Sequence, residues 1–138
     1  MKYFTGAFLM LLAQVAVSES TSCPFDSEIK REELNEDVAR WFFEVGDTSL
    51  GSRSFVIDGL IQTKVNDYSL VQVFAEIGTG SAKKYSFPIA LHIWKSEAST
   101  SFAISKDSVK NVEITVEYRK GTCPVDYLLY VGKLPSAE

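Results

Sequence analysis

Cys23 and Cys123 are the only cysteines in the chain, and they bracket nearly all of it that can fold. A disulfide closing a loop of about 100 residues penalises the unfolded ensemble by roughly 4.7 kcal/mol in the chain-entropy view. That is a large share of the ~5–15 kcal/mol by which a domain is stable. Pairing of Cys23 with Cys123 is therefore the expected staple of the fold. A free thiol or a covalent dimer is the alternative that the sequence leaves open. With His92 as the single histidine, the soft ligands number three, fewer than structural zinc takes. No metal and no cofactor is expected.

Two cysteines suit a secreted protein, and the N-terminus reads the same way. Lys2 supplies a positive start, Phe8 to Ala13 lies in an apolar run, and Ala16-Val17-Ser18 offers small residues for cleavage. The run is too short for a membrane anchor, which needs about 20 apolar residues. We expect a signal peptide over 1–18 and one secreted domain over 19–138. The full chain carries 14 Lys and Arg against 18 Asp and Glu, a net charge of −4, and cleavage after Ser18 removes only Lys2 from that balance. An acidic surface disfavours broad, charge-driven binding to nucleic acid or anionic membrane. Asn-x-Ser/Thr does not occur, so glycosylation at asparagine is not expected.

Hydrophobic spacing divides the chain in two. Leu34, Val38, Trp41, Phe42 and Val45 recur at helical period, Asp26 or Ser27 can cap, and Gly46 can close. This spacing predicts a helix over 28–45, with Trp41 and Phe42 in the core. Beyond it the period changes to two. Runs at 55–62, 71–77, 85–94, 102–104, 112–118 and 127–131 predict five or six strands, with a tight turn at Asn66-Asp67 and a tail from Leu134. Pro88 cannot donate to a ladder, which marks an edge strand or a bulge. The expected fold is α+β: one long N-terminal helix packed on an antiparallel sheet of five to six strands, with one disulfide.

Catalytic patterns are sparse. A single histidine excludes a two-histidine mechanism, and no Gly-x-Ser-x-Gly elbow is present. Gly78 to Lys84 fails the spacing of a phosphate loop and joins two strands. Glu113 and Glu117 lie too far apart along a strand for a coupled carboxylate pair. The chain reads as a non-enzyme that works by binding. The candidate surfaces are the loop 47–53 with Arg53, the loop 78–84 with Lys83 and Lys84, and a second sheet face bearing Val56, Leu60, Phe74, His92 and Trp94.

Cys23-Pro24-Phe25-Asp26-Ser27-Glu28-Ile29, then Phe87-Pro88-Ile89, and Val112-Glu113-Ile114 before Gly121-Thr122-Cys123 follow a known layout. In it the chain resembles the ribonuclease-like secreted effectors of powdery mildew fungi. The resemblance implies a ribonuclease fold without catalysis, a host protein or RNA as partner, delivery into host cytoplasm, and detection by host immune receptors. A second resemblance is to cystatins, which wrap an antiparallel sheet around one helix and inhibit papain-like proteases. Gln62-Thr63-Lys64-Val65-Asn66 stands where that family has Gln-x-Val-x-Gly, and Leu91 to Ser96 falls on a following strand. Protease inhibition, or binding of a secreted ligand, is thus the alternative function.

Overall fold

A computed structural model describes residues 23–45, 54–78, 84–105 and 112–134. Among them the backbone forms ten strands and no helix. The strands are β1 Ile29–Glu33, β2 Ala39–Val45, β3 Ser54–Gln62, β4 Lys64–Val65, β5 Tyr68–Gly78, β6 Lys84–Pro88, β7 His92–Trp94, β8 Glu97–Ser105, β9 Val112–Lys120 and β10 Asp126–Lys133. The first sheet runs β1-β10-β9-β5-β4, with β6 also on β5, and the second runs β2-β3-β8-β7. Only β1 on β10 is parallel among these pairings.

Alternation explains the two layers. Val73 and Ala75 of β5, Ile114, Val116 and Tyr118 of β9, and Leu128 and Tyr130 of β10 are buried from the first sheet. Ala39, Ile57, Ile61, Ala98 and Ile104 are buried from the second. They form one cluster, so the two sheets share a single core between their inner faces, as in a β-sandwich. Polar groups alternate outward from both.

The expected α+β fold is corrected here: the segment read as a helix forms β1, the turn 36–38 and β2. Ala39, Trp41 and Phe43 lie against the core, whereas Arg40, Phe42 and Glu44 are exposed. The cause is tertiary. Trp41 stands opposite Gly59 of β3, whose missing Cβ leaves room for the indole: a Cβ there would lie 2.4 Å from the Trp41 ring. Trp41 also meets Phe102 edge to face, with centroids 6.3 Å apart. A bulky aromatic over glycine on a neighbouring strand rewards extended backbone with burial. The same segment as a helix would forgo the whole β2–β3 ladder.

Several finer expectations hold. Asn66-Asp67 forms the two-residue turn between β4 and β5, with Asn66 in the left-handed region at φ 53°. Pro88 lies on β6, which occupies an edge of the first sheet. The run 85–94 is two strands, because the chain leaves β6 of the first sheet and enters β7 of the second, with Ile89 buried between them. The run 102–104 extends to the nine residues of β8. Leu134, read as the start of a tail, is buried, and its N–H donates to the Val112 carbonyl at 3.2 Å.

Cys23 and Cys123 form the disulfide, with Cα atoms 5.3 Å apart, inside the ordinary range for such bridges. The signal peptide expected over 1–18 lies outside the described residues. Among the described residues no helix is long and apolar enough to cross a membrane.

Candidate binding surface

The pairing registers place each candidate. The outer face of the second sheet carries Arg40, Leu60, Ser99 and His92 in one row across β2, β3, β8 and β7. The next rows hold Phe42, Asp58 and Ser101 on one side, and Gln62, Glu97 and Trp94 on the other. Neighbouring strands lie about 4.8 Å apart, so each row is a contiguous band of side chains.

Phe74 is elsewhere. It pairs with Thr115 and Pro88 on the outer face of the first sheet. Gln72 shares that face and donates from Nε2 to Glu117 at 2.8 Å. Lys84 pairs with Glu76 at 3.7 Å, also on the first sheet. The second face expected from the sequence is therefore split: Val56, Leu60, His92 and Trp94 come together, and Phe74 and Lys84 lie on the opposite side of the sandwich. Arg53, Lys83 and the loop residues 47–53 and 79–83 lie outside the described residues.

The second sheet's outer face carries a groove. Phe42, Asp58, Leu60, Leu91, His92, Ser99 and Ser101 line a groove of about 620 Å³. Leu60 and Leu91 give it apolar surface, and Asp58, His92, Ser99 and Ser101 are its polar groups. Trp94 is 69% exposed beside it and Phe42 49% exposed in its wall. Arg40 Nη2 lies 3.6 Å from Glu97 Oε1, so the cation at this end is already paired. Phe42 also lines a smaller pocket of about 380 Å³ with Leu34, Asn35, Glu36, Trp41 and Lys133.

Phe42 is the residue that sequence reasoning missed, because the helical stripe assigned it to the core. The run Trp41-Phe42-Phe43 was the available signal, since consecutive aromatics favour a strand that puts its middle residue on the other face.

Asp58, His92, Ser99 and Ser101 share this face without forming a relay. Ser99 Oγ donates to the His92 carbonyl at 3.5 Å, not to its ring. Asp58 and His92 are separated by the intervening strand β8 and stand in different rows, Asp58 opposite Ser101 and His92 opposite Ser99. What the arrangement offers is two exposed aromatics, a small apolar surface at Leu60 and Leu91, and several hydrogen-bonding groups. Among the described residues, no group of three or more His, Cys, Asp or Glu is placed to hold a metal ion.

The hairpin compared with cystatins also has a defined place. Thr63 N–H donates to the Ser96 carbonyl at 2.9 Å, which sets Gln62-Thr63-Lys64 beside the turn Lys95-Ser96. Both resemblances implied a helix packed on a sheet, which the described residues do not form. Compared with known proteins, the chain matches no family model, no curated protein and no solved structure.

Proposed function

We propose that this is a secreted, non-enzymatic binding protein that engages a partner protein through the outer face of β2-β3-β8-β7. The observation that carries this reading is the exposure of two large aromatics on that face, Phe42 in the wall of the groove and Trp94 one row beyond its lining. Large aromatics cost little side-chain entropy to immobilise and dominate the binding energy of protein interfaces. A protein is favoured over RNA because, among the described residues, no Lys or Arg lines the groove, and Arg40 is paired with Glu97. Action on a host protein, as a virulence effector open to immune detection, is the use of the surface that we place first.

A second reading is a secreted small-ligand carrier. It is favoured by the groove volume, which lies within the ~300–1,000 Å³ of small-molecule sites.

The test is a protein array probed with the wild-type chain, the Phe42→Ala/Trp94→Ala double variant and a Phe74→Ala control. A partner kept by the control and lost by the double variant supports the proposal. Binding lost only on Phe74→Ala, or RNA retained in a parallel filter-binding assay with no protein bound on the array, contradicts it.

A further inference from the structure

From Cys23 to Glu33 every residue is exposed, including the apolar Phe25 at 68% and Ile29 at 61%. The segment nevertheless lies in register on β10, from Ile29 opposite Tyr127 to Glu33 opposite Val131. Main-chain bonds hold it there. Tyr127 N–H donates to the Glu28 carbonyl at 2.8 Å, and Leu34 N–H donates to the Val131 carbonyl at 3.0 Å. Glu28 N–H adds a bond to Asp126 Oδ1 at 3.0 Å. Such bonds replace bonds to water and return little net free energy, while ordering each residue costs backbone entropy. The side-chain bond of Glu32 with Tyr130 adds to them, and with little apolar burial the strand depends chiefly on how its ends are fixed.

One end is packed and the other is covalent. Leu34 lies against Gly132 so closely that a Cβ on that glycine would come within 2.7 Å of the leucine's own Cβ. At the other end Cys23 is bonded to Cys123, and both are exposed. The core does not need residues 24–33: its buried members lie outside that stretch.

We propose that the Cys23–Cys123 disulfide is a redox latch on a detachable strap. Reduction frees residues 24–33 from β10 and uncovers the outer edge of that strand, while the rest of the sandwich stays folded. The reductant is a dithiol. One of its thiolates attacks a cysteine sulfur and breaks the S–S bond, giving a mixed disulfide and one free protein thiol. Its second thiol then displaces the cysteine held in the mixed disulfide, so the protein gains two thiols and the dithiol becomes a cyclic disulfide. An oxidising compartment keeps the strap closed and a reducing one opens it. This device lies on the first sheet and does not rest on the binding face proposed above.

Hydrogen exchange of the intact, oxidised chain with and without dithiothreitol at neutral pH tests the latch. The expected result is loss of protection in residues 28–34 and at the Tyr127 amide, with β3 and β9 protected as before. The Cys23→Ser/Cys123→Ser double variant should reproduce that pattern without reductant. Unchanged protection of 28–34 after reduction would overturn the proposal. So would its loss together with that of β3 and β9, in the reduced chain or in the double variant.

Discussion

The Tyr118 hydroxyl donates to the Gln62 carbonyl at 2.8 Å, tying β9 of the first sheet to the end of β3 in the second. Gln62 is where β3 ends, with Thr63 between it and β4 of the first sheet, so the bond clamps the corner of the sandwich. Tyr118 is fully buried and meets Tyr130 edge to face, with centroids 5.9 Å apart. Tyr118→Phe keeps the ring and leaves the Gln62 carbonyl without this partner. It should lower stability by about 1–3 kcal/mol. Urea unfolding at neutral pH reads the change as a shift in midpoint at constant slope.

Burial, and then the neighbouring Tyr130, hold the Tyr118 phenol well above its ordinary pKa. Tyr130 is raised too, by burial and by its hydrogen bond with Glu32. For a group whose folded pKa is raised, the stabilisation is complete below the unfolded pKa, about 10 for tyrosine, and falls as pH rises beyond it. Stability should therefore decline above pH ~10, and Tyr118→Phe should flatten that decline. Because both cysteines are bonded, no free thiol is present to start exchange in this alkaline range.

On the acid side, Asp67 is held below its ordinary pKa, first by its hydrogen bond with Lys120 at 3.2 Å. A depressed carboxyl stabilises above its unfolded pKa, about 3.9, and the effect disappears as pH falls through the folded value. Asp67→Asn should remove a small, salt-sensitive part of the acid limb, because the pair is exposed. Denaturant midpoints at pH 3 and pH 6, in low and high salt, measure it.

Gly59→Ala should be costly for a residue that adds only a methyl group. The new Cβ would meet Trp41 on one side and the Thr100 methyl, 2.9 Å away, on the other. A loss of roughly 1–3 kcal/mol is expected from such overpacking. Trp41→Leu in the same chain should recover part of it. A double-mutant cycle on the two positions measures that coupling.

Trp94→Ala and Phe42→Ala should behave differently from these core changes. Trp94 is mostly in solvent and Phe42 about half, so stability should move by no more than about 0.5–1 kcal/mol. Thermal unfolding of each variant checks this. A small shift keeps loss of binding on the array attributable to the surface.

Strands β3, β5, β9 and β10 were legible because alternation alone sets their faces: Ile57, Gly59 and Ile61 turn inward and Asp58 and Leu60 outward. The disulfide was legible from its two members. Residues 34–45 were not, because they satisfy two periods at once. Leu34, Val38, Trp41, Phe42 and Val45 fit a helix, whereas Ala39, Trp41 and Phe43 fit a strand. The choice lies with Gly59, fourteen or more residues further on, and no local window contains it. The site was half legible for a related reason. Alternation divides one strand into two faces but does not say to which of two sheets the strand belongs. Phe74 was thus grouped with His92 and Trp94, from which the whole thickness of the sandwich separates it.

The placement of Phe42 on a binding face depends on β2 being a strand against β3. Nuclear Overhauser contacts in the folded chain address this directly. The fold described here predicts contacts between the Trp41 ring and the Gly59 Hα protons, an upfield ring-current shift of those protons, and strand-type Cα shifts from Ala39 to Glu44. Sequential contacts at i to i+3 and i to i+4 across residues 34–45, with no Trp41–Gly59 contact, would contradict it.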